Sequence, residues 1–246
     1  MDLRGNAITW LGHGTWLWET SEGARLLIDA WIEGNPSTPE RFKDLSRLAL
    51  DGILLTHGHS DHIGRGGEEA AAVIAANPGA QAFAMFELAA YLGGKGVAVN
   101  GFNMGGTIEV AGVRATMVAA HHSGGITHDD GSIVYGGDPA GFVLEFPDGL
   151  VAYQAGDTDV FGDMALIGEV YAPAVSVLPI GDLYTMGPRQ AAHAVRLIGS
   201  TNVISGHFGT SPALVGRPAE LRRLVGVGEY RIPDMEPGMR LGAAER

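Results

Sequence analysis

"ILLTHGHSDHIG", residues 53–64, decides the reading of this chain: an apolar run leads straight into His57, His59, Asp61 and His62. In a strand or extended loop, residues i and i+2 point the same way, so His57 and His59 converge on one point. A helix would need them three or four positions apart. Asp61 and His62 follow where the chain bends into the next helix and aim at a second point nearby, an arrangement that serves two metals better than one. With 9 histidines in 246 residues, shuffled sequence produces H-x-H-x-D-H in roughly one chain in a thousand or fewer, so coincidence explains it poorly.

Three more ligand-type residues each follow an apolar strand: His122 in "VAAHHSGG", Asp157 in "YQAGDTDVF" and His207 in "VISGHFGT". Strand ends are where residues far apart in sequence meet on one rim of a sheet. His57, His59 and His122 then form an all-nitrogen site, and Asp61, His62 and His207 a second, with Asp157 bridging. The chain has no cysteine, so thiolate ligands, disulfides and a cysteine nucleophile are excluded and the compartment's redox state is left open. Imidazole and carboxylate suit Zn, Mn or Fe. Since one zinc alone lowers the pKa of its water to about 7, two divalent ions, with Zn the first expectation, supply hydroxide as nucleophile. Asp61 and Asp157 are the candidate catalytic carboxylates, Asp61 orienting that hydroxide while holding the second metal.

Around these residues the chain reads as alternating strands and helices. "AITWLG", "TWLWET" and "ARLLIDA" form a meander, "GILLT" is a buried strand, and "AQAFAMF" and "AVSVLPIG" are further strands. "TIEVAGVRATMVAAHHS" and "GFVLEFPDGLVAYQAGDT" read as strand pairs turning at Gly112 and at Pro147–Gly149. Helices are expected in "TPERFKDLSRLAL", in "GEEAAAVIAANPG", from Leu88 to Leu92, around 159–171 and from about Pro188 to Ile198, before a last strand "TNVISGH". The expected class is α/β, two mixed sheets faced by helices on the outside, in one domain over residues 1–246 with no low-complexity linker or repeat.

Acidic residues outnumber basic ones 28 to 16, for a net charge of −12. That balance argues against a nucleic-acid partner. The start, "MDLRGNAITWLGHG", lacks a signal-peptide pattern, and no apolar run reaches the roughly 18 to 20 residues of a membrane span. A cytoplasmic protein with a small-molecule substrate is therefore expected, and its oligomeric state is left open.

"THGHSDH", a strand-end histidine, "GDT" and "SGHFGT" together resemble the metallo-β-lactamase superfamily over nearly the whole chain. "WLGHGT", "IDAWIEGNP", "AGDTDVFGDM" and "PIGDLYTMGP" narrow the resemblance to its family of metal-dependent hydrolases related to ascorbate-phosphate lactonase. The resemblance implies a four-layer αβ/βα sandwich with the metals at one edge. It implies hydrolysis of an ester, lactone, amide or phosphodiester; the alternative is a non-hydrolytic iron protein with oxygen or sulfur chemistry on the same fold. His121 and His122 are adjacent, and neighbours on a strand point to opposite faces; the family pattern, histidine before serine, selects His122. The resemblance also suggests that Asp29 orients a ligand imidazole.

Other residues carry weaker signals. His13 either lines the cleft or occupies a glycine-flanked turn, and the sequence leaves both open. His193 falls on a helix face, and His128 belongs to a loop over the site. Thr185–Gly187, ahead of a helix start at Pro188, are expected to hold an anionic part of the substrate, because helix N-termini attract anions. Trp10, Trp16, Trp18 and Trp31 are read as core or subunit contact.

Overall fold

The computed structural model describes residues 1–226 and 230–242. The chain opens with β1 (Ala7–Gly12), β2 (Thr15–Glu19), β3 (Arg25–Ile28) and β4 (Gly52–Leu55), then the short α1 (Ser60–Ile63), α2 (Glu68–Ala76), β5 (Gln81–Met85), α3 (Phe86–Gly94) and β6 (Asn100–Phe102). It continues with β7 (Thr107–Val110), β8 (Val113–Ala119), β9 (Ile126–Thr127), β10 (Ile133–Val134), β11 (Ala140–Glu145) and β12 (Val151–Gln154). The last part holds α4 (Met164–Tyr171), β13 (Val175–Pro179), α5 (Pro188–Ile198), β14 (Asn202–Gly206), α6 (Pro218–Val225) and β15 (Arg240–Gly242).

Among the described residues, one sheet has the order β15-β1-β2-β3-β4-β5-β6, a second the order β14-β13-β12-β11-β8-β7, and β9 and β10 pair separately. Both large sheets are mixed. The first is antiparallel from β15 to β3 and parallel from β3 to β6; the second is parallel from β14 to β12 and antiparallel from β12 to β7.

Alternation along each strand decides the layering. Leu26, Ile28 and Leu54 turn inward to a core shared with Met117, Phe142, Leu144 and Val177 of the second sheet. Their neighbours Leu27, Ile53 and Leu55 turn outward onto Val73, Leu88 and Leu92 of α2 and α3. On the far side Tyr153, Leu178 and Val203 pack on Ile167, Val195 and Leu221 of α4, α5 and α6. Because both faces of the central strands are covered, they read as continuous apolar runs, and the result is the expected αβ/βα sandwich.

Trp10, Trp16 and Trp18 fill the inner core, with Trp10 stacked on Trp16 at 5.6 Å between ring centroids. Trp31 is half-buried. No helix among the described residues is long and apolar enough to cross a membrane.

Two expectations need correction. "TPERFKDLSRLAL" is not an α-helix but two 3-10 turns, Glu40–Phe42 and Leu45–Leu48. Asp44 between them is extended (φ −78°, ψ 92°) and its carboxylate accepts a 2.6 Å bond from Ser46 Oγ, a local side-chain alternative to the helical ladder. The helix expected from 159 begins only at Met164, because Asp159 instead bonds outward: its N–H goes to the His121 carbonyl and its Oδ1 accepts from Val160 N–H. Short elements that the sequence did not signal are β6, β9, β10, α6 and β15.

Candidate metal centre

The residues that could hold a cation sit beyond the C-terminal ends of β4, β8, β12 and β14 and, for His13, in the β1–β2 turn, all on one edge of the sandwich. β4 ends in Leu55, and the extended backbone that follows places both histidines of the i, i+2 pair together: His57 Nε2 is 3.0 Å from His59 Nδ1. The His122 ring stands 5.2 Å from that of His57 and 5.0 Å from that of His59. Donor atoms of these three residues lie within 4.8 Å of one another. His121 does not join them; it is exposed and its ring stacks on Phe161 at 4.5 Å.

A second group gathers around α1. His62, fully buried, and Asp61 face His207 from the end of β14, and His13 from the β1–β2 turn completes a set whose donor atoms also fall within 4.8 Å. Asp157 joins the two groups. Its Oδ2 is 2.9 Å from His207 Nε2, 3.2 Å from His62 Nε2 and 3.7 Å from His122 Nε2. All seven residues singled out for metal binding are therefore brought together on one edge.

Behind them, Asp29 sets two imidazoles at once. Buried at the end of β3 with φ 57°, it accepts His62 Nδ1–H at 2.7 Å, and Thr56 donates to it through its N–H and its hydroxyl, each at 2.8 Å. The Thr56 hydroxyl, having given its proton to Asp29, accepts from His57 Nδ1–H at 2.9 Å. In their neutral forms both imidazoles are thereby fixed in the tautomer that leaves Nε2 with a free lone pair toward the cluster. Ser123 Oγ, 3.1 Å from His59 Nε2, gives His59 the converse arrangement, with Nδ1 inward.

The sequence reading did not find Thr56, Thr210 beside His13, or Glu69. Glu69 accepts the N–H groups of Ile32, Glu33 and Gly34 at 2.7 to 3.0 Å and so fastens the loop that carries Trp31; the Trp31 ring meets that of His13 edge-on at 5.1 Å. Thr56 was visible in "THGHSDH", but nothing in the sequence connects it to Asp29.

The donor set fits a cation. His62 Nε2 and both ring nitrogens of His207 are buried without a hydrogen-bond partner among the described residues, even though the Nε2 atoms lie close to Asp157. Buried polar atoms left unpaired are costly, and a cation shared beside Asp157 satisfies the Nε2 atoms of His62 and His207. The electrostatics agree. For Asp157, burial favours the neutral acid, but the imidazoles of His207 and His62 outweigh it and hold the carboxyl well below the usual range. Burial likewise opposes a charge on His62, yet Asp157 and Asp29 overcome it and hold its pKa well above normal. Burial, reinforced by His62, keeps His57 neutral, and burial with His207 lowers His13 to about 4.

The carboxylates beside His62 thus favour its protonated form, and metal uptake competes with that proton for Nε2. Affinity is expected to rise with pH up to the raised pKa of His62, with proton release on binding. Calorimetry in buffers of different ionisation enthalpy measures this; no release at any pH would refute it.

The cluster opens by way of His122 onto a shallow, open depression lined by Met104, Ala119, His121, Asp138 and Pro139. A larger cavity of about 710 Å³, lined by Arg25, Arg41 and Arg240 among others, lies on the outer face of the first sheet, away from the imidazoles. Pro188 does begin α5. The end of that helix is faced by Asp182, whose carboxyl carbon lies 3.3 Å from where a Cβ on Gly187 would stand, a charge of the same sign as an anionic substrate group. His193 is exposed on α5. His128, outside the metal-type groups, contacts Tyr91 Oη at 3.3 Å.

Comparison with known proteins agrees with this geometry. A family model described as the β-lactamase superfamily domain matches residues 24–208. A UPF0173 metal-dependent hydrolase from Herpetosiphon aurantiacus is 52% identical over 225 residues, covering 89% of this chain and 90% of the relative. One from Rubrobacter xylanophilus is 45% identical over 245 residues, covering 98% of both. Among solved structures, a metallo hydrolase from the hyperthermophilic archaeon Ignicoccus hospitalis superposes with a TM-score of 0.80 at 32% identity, covering 96% of this chain and 97% of that one. With three quarters of its length matched by the family model and its ligand-type residues gathered on one sheet edge, the chain belongs to the β-lactamase superfamily, among its UPF0173 metal-dependent hydrolases.

Proposed function

We propose that this hydrolase works with two divalent cations and cleaves a small-molecule ester, lactone, amide or phosphodiester. The observation that carries the reading is the position of Asp157, one ionised oxygen within 3.7 Å of imidazoles from both groups. His57, His59 and His122 would hold one cation and Asp61, His62 and His207 the other, with Asp157 common to both. Cations held there would lower the pKa of a bound water to about 7 and polarise a carbonyl or phosphoryl oxygen. Asp61 orients the attacking water, while Asp29 and Thr56 keep the imidazoles from turning. The open depression beside His122 gives a substrate access to that imidazole.

Zn is the first expectation, and the same nitrogen and oxygen donors suit Mn or Fe. The test is a panel of lactones, phosphodiesters, acyl amides and charged and neutral esters, assayed with Zn, Mn and Fe alongside elemental analysis. Turnover of at least one class with two equivalents bound is expected. Inactivity on every class, together with a visible iron spectrum and oxygen or sulfur turnover, would replace hydrolysis by iron chemistry on the same donors.

A further inference from the structure

The tight turn Gly12–Gly14 between β1 and β2 presses against the second group of donors. His13 at its tip is buried, 3% exposed, in the left-handed region at φ 53°, a conformation costly for a non-glycine residue and retained where the surroundings enforce it. Its side chain reaches Asp61, with Nε2 2.9 Å from Oδ2, and Thr210, with Nδ1 3.0 Å from Oγ1. An ionised carboxylate only accepts, so the ring proton sits on Nε2 and the Thr210 hydroxyl donates to Nδ1. Its carbonyl accepts the His207 N–H at 3.1 Å and the Trp10 Nε1–H at 2.9 Å. The next residue, Gly14, lies so close to His62 that a Cβ there would collide with Cε1 of the imidazole. One turn thus touches Asp61, His62 and His207, the three residues of the second proposed cation site.

His13 Nε2 is near enough to these donors to be a ligand itself, but two observations favour a hydrogen-bonding role. Both of its ring nitrogens have partners, whereas Nε2 of His62 and of His207 are buried without one. Its contact with Asp61 is aligned as a hydrogen bond, whereas that of His207 Nε2 with Asp157, at the same 2.9 Å, is not.

We propose that His13 is a positioning residue for the second cation: its Nε2–H fixes the Asp61 carboxylate, its carbonyl fixes the backbone of His207, and the turn backs His62. The inference rests on the two-cation reading above, and its test separates the two. Metal-stripped protein is titrated with Zn²⁺ by calorimetry, with bound metal counted after gel filtration. Wild type is expected to take two equivalents. His13→Ala is expected to keep the first and bind the second about 10- to 100-fold more weakly, the usual effect of losing a partner behind a metal ligand. His13→Gln, which retains an N–H donor, is expected to recover most of that affinity. Thr210→Val, which leaves His13 in place without its hydroxyl donor, is expected to weaken the second equivalent by a smaller factor.

A wild type that binds a single equivalent overturns the two-cation reading and this inference with it. Two equivalents in wild type and unchanged second-site affinity in His13→Ala overturn the inference alone. Equal loss in His13→Ala and His13→Gln also overturns it, since that pattern marks a direct ligand. Should His13→Ala not fold, Thr210→Val decides, and wild-type affinity there counts against the proposal.

Discussion

Asp157→Asn is expected to remove activity by about 10³-fold or more in kcat/KM, equivalent to about 4 kcal/mol of lost transition-state stabilisation. The substitution conserves shape, so folding should survive. It deletes a buried negative charge lying between the two groups of imidazoles, 2.9 Å from His207 and 3.2 Å from His62. An amide in that place is neutral, and its oxygen lacks the charge that holds two cations together. Bound metal should drop below two equivalents, while circular dichroism and Tm show a folded chain. Full activity with two equivalents retained would remove Asp157 from the centre of the reading.

The second large effect is expected at a residue that touches no proposed cation. In Asp29→Asn the left-handed backbone is tolerated, since asparagine adopts it readily. The hydrogen bonds are not tolerated. With the amide oxygen taken by Thr56 N–H, the amide nitrogen faces His62 Nδ1 and the Thr56 hydroxyl, where a carboxylate oxygen now accepts from both at 2.7 and 2.8 Å. His62 Nδ1 must then accept, which moves its proton to Nε2. The Thr56 hydroxyl, now an acceptor from the amide, turns its own proton toward His57 Nδ1 and pushes that ring to the same wrong tautomer.

One atom exchange thus blocks an imidazole in each proposed cation site. With about 10- to 100-fold expected for each such partner, the combined loss of metal affinity should be on the order of 100-fold or more. Chelator competition reads the affinity, and nitrogen-detected NMR of the histidine rings reads the tautomers. Unchanged tautomers of both His57 and His62 would refute the relay.

Much of the fold is legible in the sequence because its causes are local. Runs such as "RLLI" and "GILL" state their own burial, the hairpin around Pro147–Gly149 states its own turn, and Pro188 and Gly199 bracket α5 at the positions those residues favour. The segment 38–50 misleads for an equally local reason: its apolar spacing is helical, but the Asp44–Ser46 side-chain bond and a left-handed Ala49 break the backbone pattern. β15 and α6 go unread because short elements at the periphery owe their form to what they dock on.

The sequence by itself determined which side chains are ligand-type and that apolar strands deliver them to strand ends, since alternation and i, i+2 spacing are properties of the backbone alone. The motif already selects His122 over His121; only the tertiary structure decided that Asp29 governs two imidazoles and that His13 reaches Asp61 across 48 positions of chain. The direction of a side chain is set within a residue or two. Its partners are set by which strands lie side by side, and that follows from burying two sheets against each other.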